Sequence, residues 1–164
     1  MVVLAGLAVV TASAGEPSSV ENIFGAMRAG TYSEKYGPYT FPQLGTNDIP
    51  KLLVHAGNTN ILKSFPINGV SSIGRMMTSE GMTALWLIEG VRMGGMFPSL
   101  IPVCYDRDKK VLHDALFYAE ANPDAVYKAY LLWWEKTKGQ KNEIDPLNGT
   151  ALTWFGGRMP KEGK

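Results

Sequence analysis

Residues 79–95, SEGMTALWLIEGVRMGG, decide the fold. Across residues 82–93 apolar side chains fall on every side of a 3.6-residue period, and a helix with no polar face has to be enclosed by others. The stretch is therefore expected to be the central element of a mainly α, single compact domain of about four to six helices with long packed loops.

Three further segments carry a helical period. In SSVENIFGAMRAG, Ser18 stands three residues ahead of Glu21 as a capping box. Val20, Ile23, Phe24 and Met27 make one face, and Gly30 stops the helix. In TNDIPKLLVHAG, Thr46 or Asn47 is the expected cap, and Asp48 suits the positive first turn. Pro50 is early enough to be tolerated, and Ile49, Leu52, Leu53 and Ala56 form the buried stripe. In NPDAVYKAYLLWWEKTKG, Asn122 is the cap and Pro123 the first helical residue. Lys136 and Lys138 complement the last turn, and Gly139 ends it. Residues 111–120 suggest a further short helix, whereas IPVCYD reads equally as a strand or an extended connector.

Between the second and third helices lies GNTNILKSFPINGVSS, residues 57–72. Here Ile61, Leu62, Phe65, Ile67 and Val70 alternate with turn formers, as expected of a connector that folds back onto the core.

The 164-residue chain has 16 Lys plus Arg against 15 Asp plus Glu. Neither sign is gathered into a block, which argues against nucleic acid or an anionic membrane surface as partner. Residues 1–14 predict a secretory signal peptide, with Ala12 and Ala14 at the −3 and −1 positions of a cut. That leaves residues 15–164 as one domain with a frayed end. The apolar run at 2–10 is far short of the roughly 20 residues that span a bilayer, so an exported, periplasmic or extracellular domain that does not span the membrane is expected. Cys104 is the only cysteine and sits in the apolar run SLIPVCY, where a buried, inert thiol is expected.

Few residues offer chemistry. Glu89 shares its helical face with Met82, Leu85, Trp86 and Met93, where a lone carboxylate is costly, and Arg92 three residues on is its natural ion-pair partner. A structural pair is expected, the alternative being a small hydrolase that uses a buried acid, Glu89, or His113. His55 lies outside its helix's apolar stripe and reads as an exposed histidine. Asp106 and Asp108 stand next to Lys109 and Lys110 and read as a solvated turn, not a calcium loop. HExxH and CxxC spacings are missing, so neither metal nor cofactor is expected. A Cys104 and His113 dyad lacks any third residue to orient it. The aromatic stripe of the last helix (Val126, Tyr127, Tyr130, Leu131, Trp133, Trp134) reads as core. Tyr127 and Trp134 at its margin are candidates to stack on a sugar or anchor a partner protein. Asn148, Gly149 and Thr150 form a glycosylation sequon.

The runs DIPKLLVHAGNTNILKSFPINGVSS, ALWLIEGVR and PLNGTALTWF resemble an uncharacterised family of small exported proteins of Gram-negative gut bacteria, over residues 20–155. The resemblance implies an address and a helical fold, with no reaction attached. It gives prominence to Phe65, Pro66, Asn68, Ser71 and Ser72 in the loop and to Trp86, Glu89 and Arg92 in the central helix. The chain departs from the pattern at Gly69, where proline is expected, at Gly90, where a helix-favouring residue is expected, and in lacking a lipoprotein cysteine. The expectation is that Asn68, Ser71 and Ser72 hydrogen-bond the loop backbone and the start of the next helix, over a buried Glu89 and Arg92. Together these readings predict an exported non-catalytic domain that binds an unknown protein or glycan at the periplasm or cell surface. Its candidate binding residues are Asn68, Ser71, Ser72, Glu89, Arg92, Tyr127 and Trp134.

Overall fold

The computed structural model describes residues 19–71, 77–109, 119–137 and 144–155. The signal peptide, Ser18, Ser72, His113 with most of its expected short helix, the stop at Lys138 and Gly139, and the tail from 156 lie outside them.

Five helices are present among the described residues: α1 (Val20–Ala29), α2 (Tyr32–Tyr36), α3 (Ile49–His55), α4 (Glu80–Arg92) and α5 (Pro123–Thr137). Three short strands accompany them: β1 (Cys104–Asp106), β2 (Ala119–Glu120) and β3 (Leu152–Trp154). They form an antiparallel sheet of order β2-β1-β3, with Tyr105 opposite Glu120 on one side and Thr153 on the other. IPVCYD thus resolves as connector and strand. Residues 119 and 120, expected to end a helix, are a strand because they pair with β1.

As the apolar run at 82–93 predicts, α4 is the enclosed helix. Its residues from Glu80 to Ile88 are all buried, and Ala84, Leu85, Trp86, Leu87 and Ile88 are completely so. Ser79 caps it, its Oγ accepting from the Met82 amide at 3.2 Å. Two glycines let neighbours approach its axis. A Cβ on Gly81 would overlap the Ala56 carbonyl oxygen at the end of α3, and one on Gly90 would overlap the Phe41 ring. The glycine that departs from the resembled family at position 90 is therefore explained by the aromatic ring lying across it.

Other helix ends follow from local chemistry, with small corrections. The cap of α1 is Ser19, not Ser18, its Oγ taking the Asn22 amide at 3.2 Å. Gly30 ends α1 in the left-handed region at φ 86°, its amide donating to Ala26 and Met27 carbonyls. A 3-10 turn at Thr46–Asp48 precedes α3, and Asp48 Oδ2 accepts from the Gly45 amide at 3.0 Å. Neither Thr46 nor Asn47 caps α3, because Asp48 is its N-cap residue and its side chain turns back to the preceding loop. Asn122 caps α5 as expected, accepting from the Asp124 amide at 2.9 Å.

The loop after α3 is only partly folded back. Leu62 and Pro66 are buried and Phe65 packs against the core, but Ile61, Ile67 and Val70 are exposed. Of its polar residues, Asn68 does not reach the start of the next helix as expected, because its side chain bonds Ser99 and Val70. The first amides of α4 are taken by main-chain carbonyls, Glu80 by Asn60 and Gly81 by Asn58, each at 2.8 Å.

Candidate functional site

Among the described residues, ionisable groups gather in two places. The first joins α4, α5 and β3. Arg92 Nη1 donates to Glu89 Oε2 at 2.6 Å, and the Tyr130 hydroxyl donates to the same oxygen at 3.0 Å. Trp154 Nε1 donates in turn to the Tyr130 oxygen at 3.0 Å. Arg92 Nη2 holds the Ile144 carbonyl at 2.7 Å, and the guanidinium lies 5.3 Å from the centre of the Trp133 ring. The Glu89 and Arg92 pair expected from their spacing is formed. It is directed at α5 and residue 144, not at the loop of residues 57–71. Burial raises the Glu89 carboxyl above its ordinary range, against the lowering effect of Arg92. Burial, and then the nearby Glu89 charge, raise the Tyr130 hydroxyl.

The second place overturns a sequence expectation. His55, read as exposed, is buried at 7 % exposure. Its Nδ1 lies 2.6 Å from Glu80 Oε1 and its Nε2 lies 3.1 Å from Glu21 Oε1. Arg28 Nη1 donates to the same Glu80 oxygen at 2.9 Å, and the Phe24 ring stacks on the imidazole at 4.2 Å. The helical angle of His55 points away from α3's own stripe, but α1 covers that side. The two carboxylates sit on opposite nitrogens of one ring, and the Arg28 guanidinium reaches both, with Nη2 3.7 Å from Glu21 Oε2. No group of three His, Cys, Asp or Glu suited to a metal is found among the described residues.

Remaining candidates are placed as follows. Asp106 is occupied within its own turn, Oδ1 accepting from the Asp108 amide at 3.1 Å and Oδ2 lying 3.3 Å from Lys109 Nζ. Cys104 is fully buried, and burial pushes its thiol up to about 12. Tyr127 and Trp134 are half-buried against the core, Trp134 beside Trp133 with ring centres 5.9 Å apart. Asn148 lies exposed in a turn.

One surface does gather exposed apolar groups. The Ile67 amide donates to the Pro38 carbonyl at 3.0 Å, joining the loop after α2 to the loop after α3. A Cβ on Gly69 would lie 3.8 Å from the Tyr39 ring. Tyr39 thus lies beside Gly69, in the stretch that carries the exposed Ile67 and Val70, and Tyr39 and Val70 are 65 % and 79 % exposed. Asn68 holds the loop in shape: its Nδ2 donates to the Ser99 carbonyl at 3.1 Å, and its Oδ1 accepts from the Val70 amide at 3.2 Å. The Ser71 amide bonds the Asn68 carbonyl at 2.8 Å. Asn68 thus anchors the loop to the segment after α4, not to its start.

Residues 15–155 match the family described as a domain of unknown function, DUF4943. The chain belongs to that family. No curated protein and no solved structure matches it. The DUF4943 match takes in α1 through β3, with both buried charge clusters and the Tyr39 face. Tyr39 is the residue that sequence reasoning missed. It stands in a short turn, GPYT, with no helical period to show whether the ring is turned inward or outward.

Proposed function

We propose that this DUF4943 domain is an exported, non-catalytic binding module that engages a partner protein at the periplasm or cell surface. The face formed by Tyr39, Ile67 and Val70 would make the contact. The observation that carries this reading is that three large apolar side chains are left outward on two loops fastened to each other and to the core. An aromatic beside aliphatic groups on a fixed backbone is the composition of a protein-contact anchor. A glycan site needs polar side chains beside the ring, and the amide of Asn68 is already engaged with Ser99 and Val70. The ionisable groups fit a non-catalytic role as well, because Glu89, Glu80 and His55 are each spent on internal partners.

Two substitutions and one panel test it. Val70→Asp and Tyr39→Ser alter exposed side chains and are expected to leave the thermal midpoint in place while abolishing retention of the partner from the envelope extract of the producing cell. A soluble glycan at a hundred times its dissociation constant would add about 2.7 kcal/mol to stability. A raised midpoint with a glycan, lost in Tyr39→Ser, would replace the protein partner with a sugar.

A further inference from the structure

The His55 cluster contains a proton count. Glu80 Oε1 receives the Arg28 guanidinium at 2.9 Å, the arrangement of an ionised carboxylate, so the His55 Nδ1 that lies 2.6 Å from it is the donor. A neutral imidazole protonated on Nδ1 has a bare lone pair on Nε2. Yet Nε2 faces Glu21 Oε1 at 3.1 Å, and two acceptors do not hold each other at that distance. Both contacts are satisfied together only when the ring carries both protons.

The two carboxylates differ in freedom. The Glu80 side chain is 1 % exposed, while that of Glu21 is 72 % exposed, its other oxygen lying 3.7 Å from Arg28 Nη2. Among the described residues, the charged side chains in contact with this cluster are Glu21 and Arg28 from α1 and Glu80 from α4. On α3 itself, Lys51 pairs with Asp48 at 3.9 Å. With the ring charged, two cations balance two carboxylates. With it neutral, one carboxylate is in excess, and the exposed Glu21 is left with only its longer contact to Arg28 at 3.7 Å.

We propose that His55 is a pH-operated clasp: as an imidazolium it bridges Glu80 and Glu21 and fastens the first turn of α1 to α3 and α4, and on losing the Nε2 proton it keeps Glu80 and releases Glu21. The Glu21 contact is present while the ring carries both protons and is lost with the Nε2 proton as pH rises. An exported protein would meet such a change between acidic and neutral surroundings.

The test uses the intact protein labelled with 15N, with His113→Gln assigning the one remaining imidazole. At the acid end, both ring nitrogens of His55 should carry protons. Towards pH 8, Nε2 alone should lose its proton, and amide exchange in the first turn of α1 should rise several-fold beyond the intrinsic pH effect. Glu21→Gln offers Nε2 an amide donor in place of a carboxylate, so it should keep its fold and lose the pH-dependent change in α1. Proton loss from Nδ1, a ring that never holds both protons, or α1 exchange with the same pH profile in Glu21→Gln would each overturn the clasp.

Discussion

At the scale of single residues, Glu89 shows how a carboxylate can be paired and still be held at a cost. Desolvation raises its pKa although Arg92 and Tyr130 both favour the ionised form. A folded-state carboxyl raised above its unfolded value, about 4.3, gives a contribution present below that value and lost as pH climbs through the raised one. Glu89→Gln removes this titration. Thermal midpoints measured against pH should show the wild type losing ground to Glu89→Gln above about pH 4.3, then running parallel once the carboxyl is fully ionised. Two parallel curves throughout would contradict it. Arg92 is the more damaging loss. Arg92→Met removes the ion-pair partner of Glu89 and the bond to the Ile144 carbonyl, and removing one partner of a buried pair costs about 3–5 kcal/mol, read by denaturant unfolding. Cys104, pushed up to about 12, should resist a thiol reagent at pH 8 in the native protein and react fully once unfolded.

Among elements, all the described helices but the short α2 were legible because their signals are local: a capping serine or asparagine, a glycine stop, an apolar period. These placed α1, α3, α4 and α5 to within a few residues. The misjudged residues are those whose surroundings come from distant chain. His55 sits on the polar side of α3 by periodicity and is covered by Glu21 and Phe24 of α1, which no spacing within α3 reveals. Ile67 and Val70 looked like core and are exposed, because the loop is pinned by Asn68 and the Pro38 carbonyl and has no need of their burial. Gly90, which stands where the resembled family has a helix-favouring residue, is a contact surface for Phe41. The α3 and α4 junction makes the sharpest prediction at this scale. Gly81→Ala drives a methyl into the Ala56 carbonyl, and Gly90→Ala drives one into the Phe41 ring and the Met96 carbonyl, so both meet backbone that is slow to yield. Each should lose about 1–3 kcal/mol by chemical denaturation.

For the whole molecule, the enclosed helix α4 sets the arrangement. One charge cluster lies at its first turn, through Glu80, and the other near its last, through Glu89 and Arg92. Between them these clusters tie α1, α3, α5 and β3 to the same helix. Among the described residues no helix is long and apolar enough to cross a membrane. Among the described residues, Glu80, His55, Glu89 and Arg92 are thus engaged in holding helices together, and the candidate binding face was illegible because it is made by two loops meeting.

The most direct test of this division is site-specific photocrosslinking in the cell that makes the protein. A photoreactive phenylalanine at position 39 should yield one discrete adduct with a partner protein, lost on adding Val70→Asp. The same probe at Leu132, equally exposed on α5, should give none. Adducts of equal yield at both positions, or none at position 39, would contradict the account.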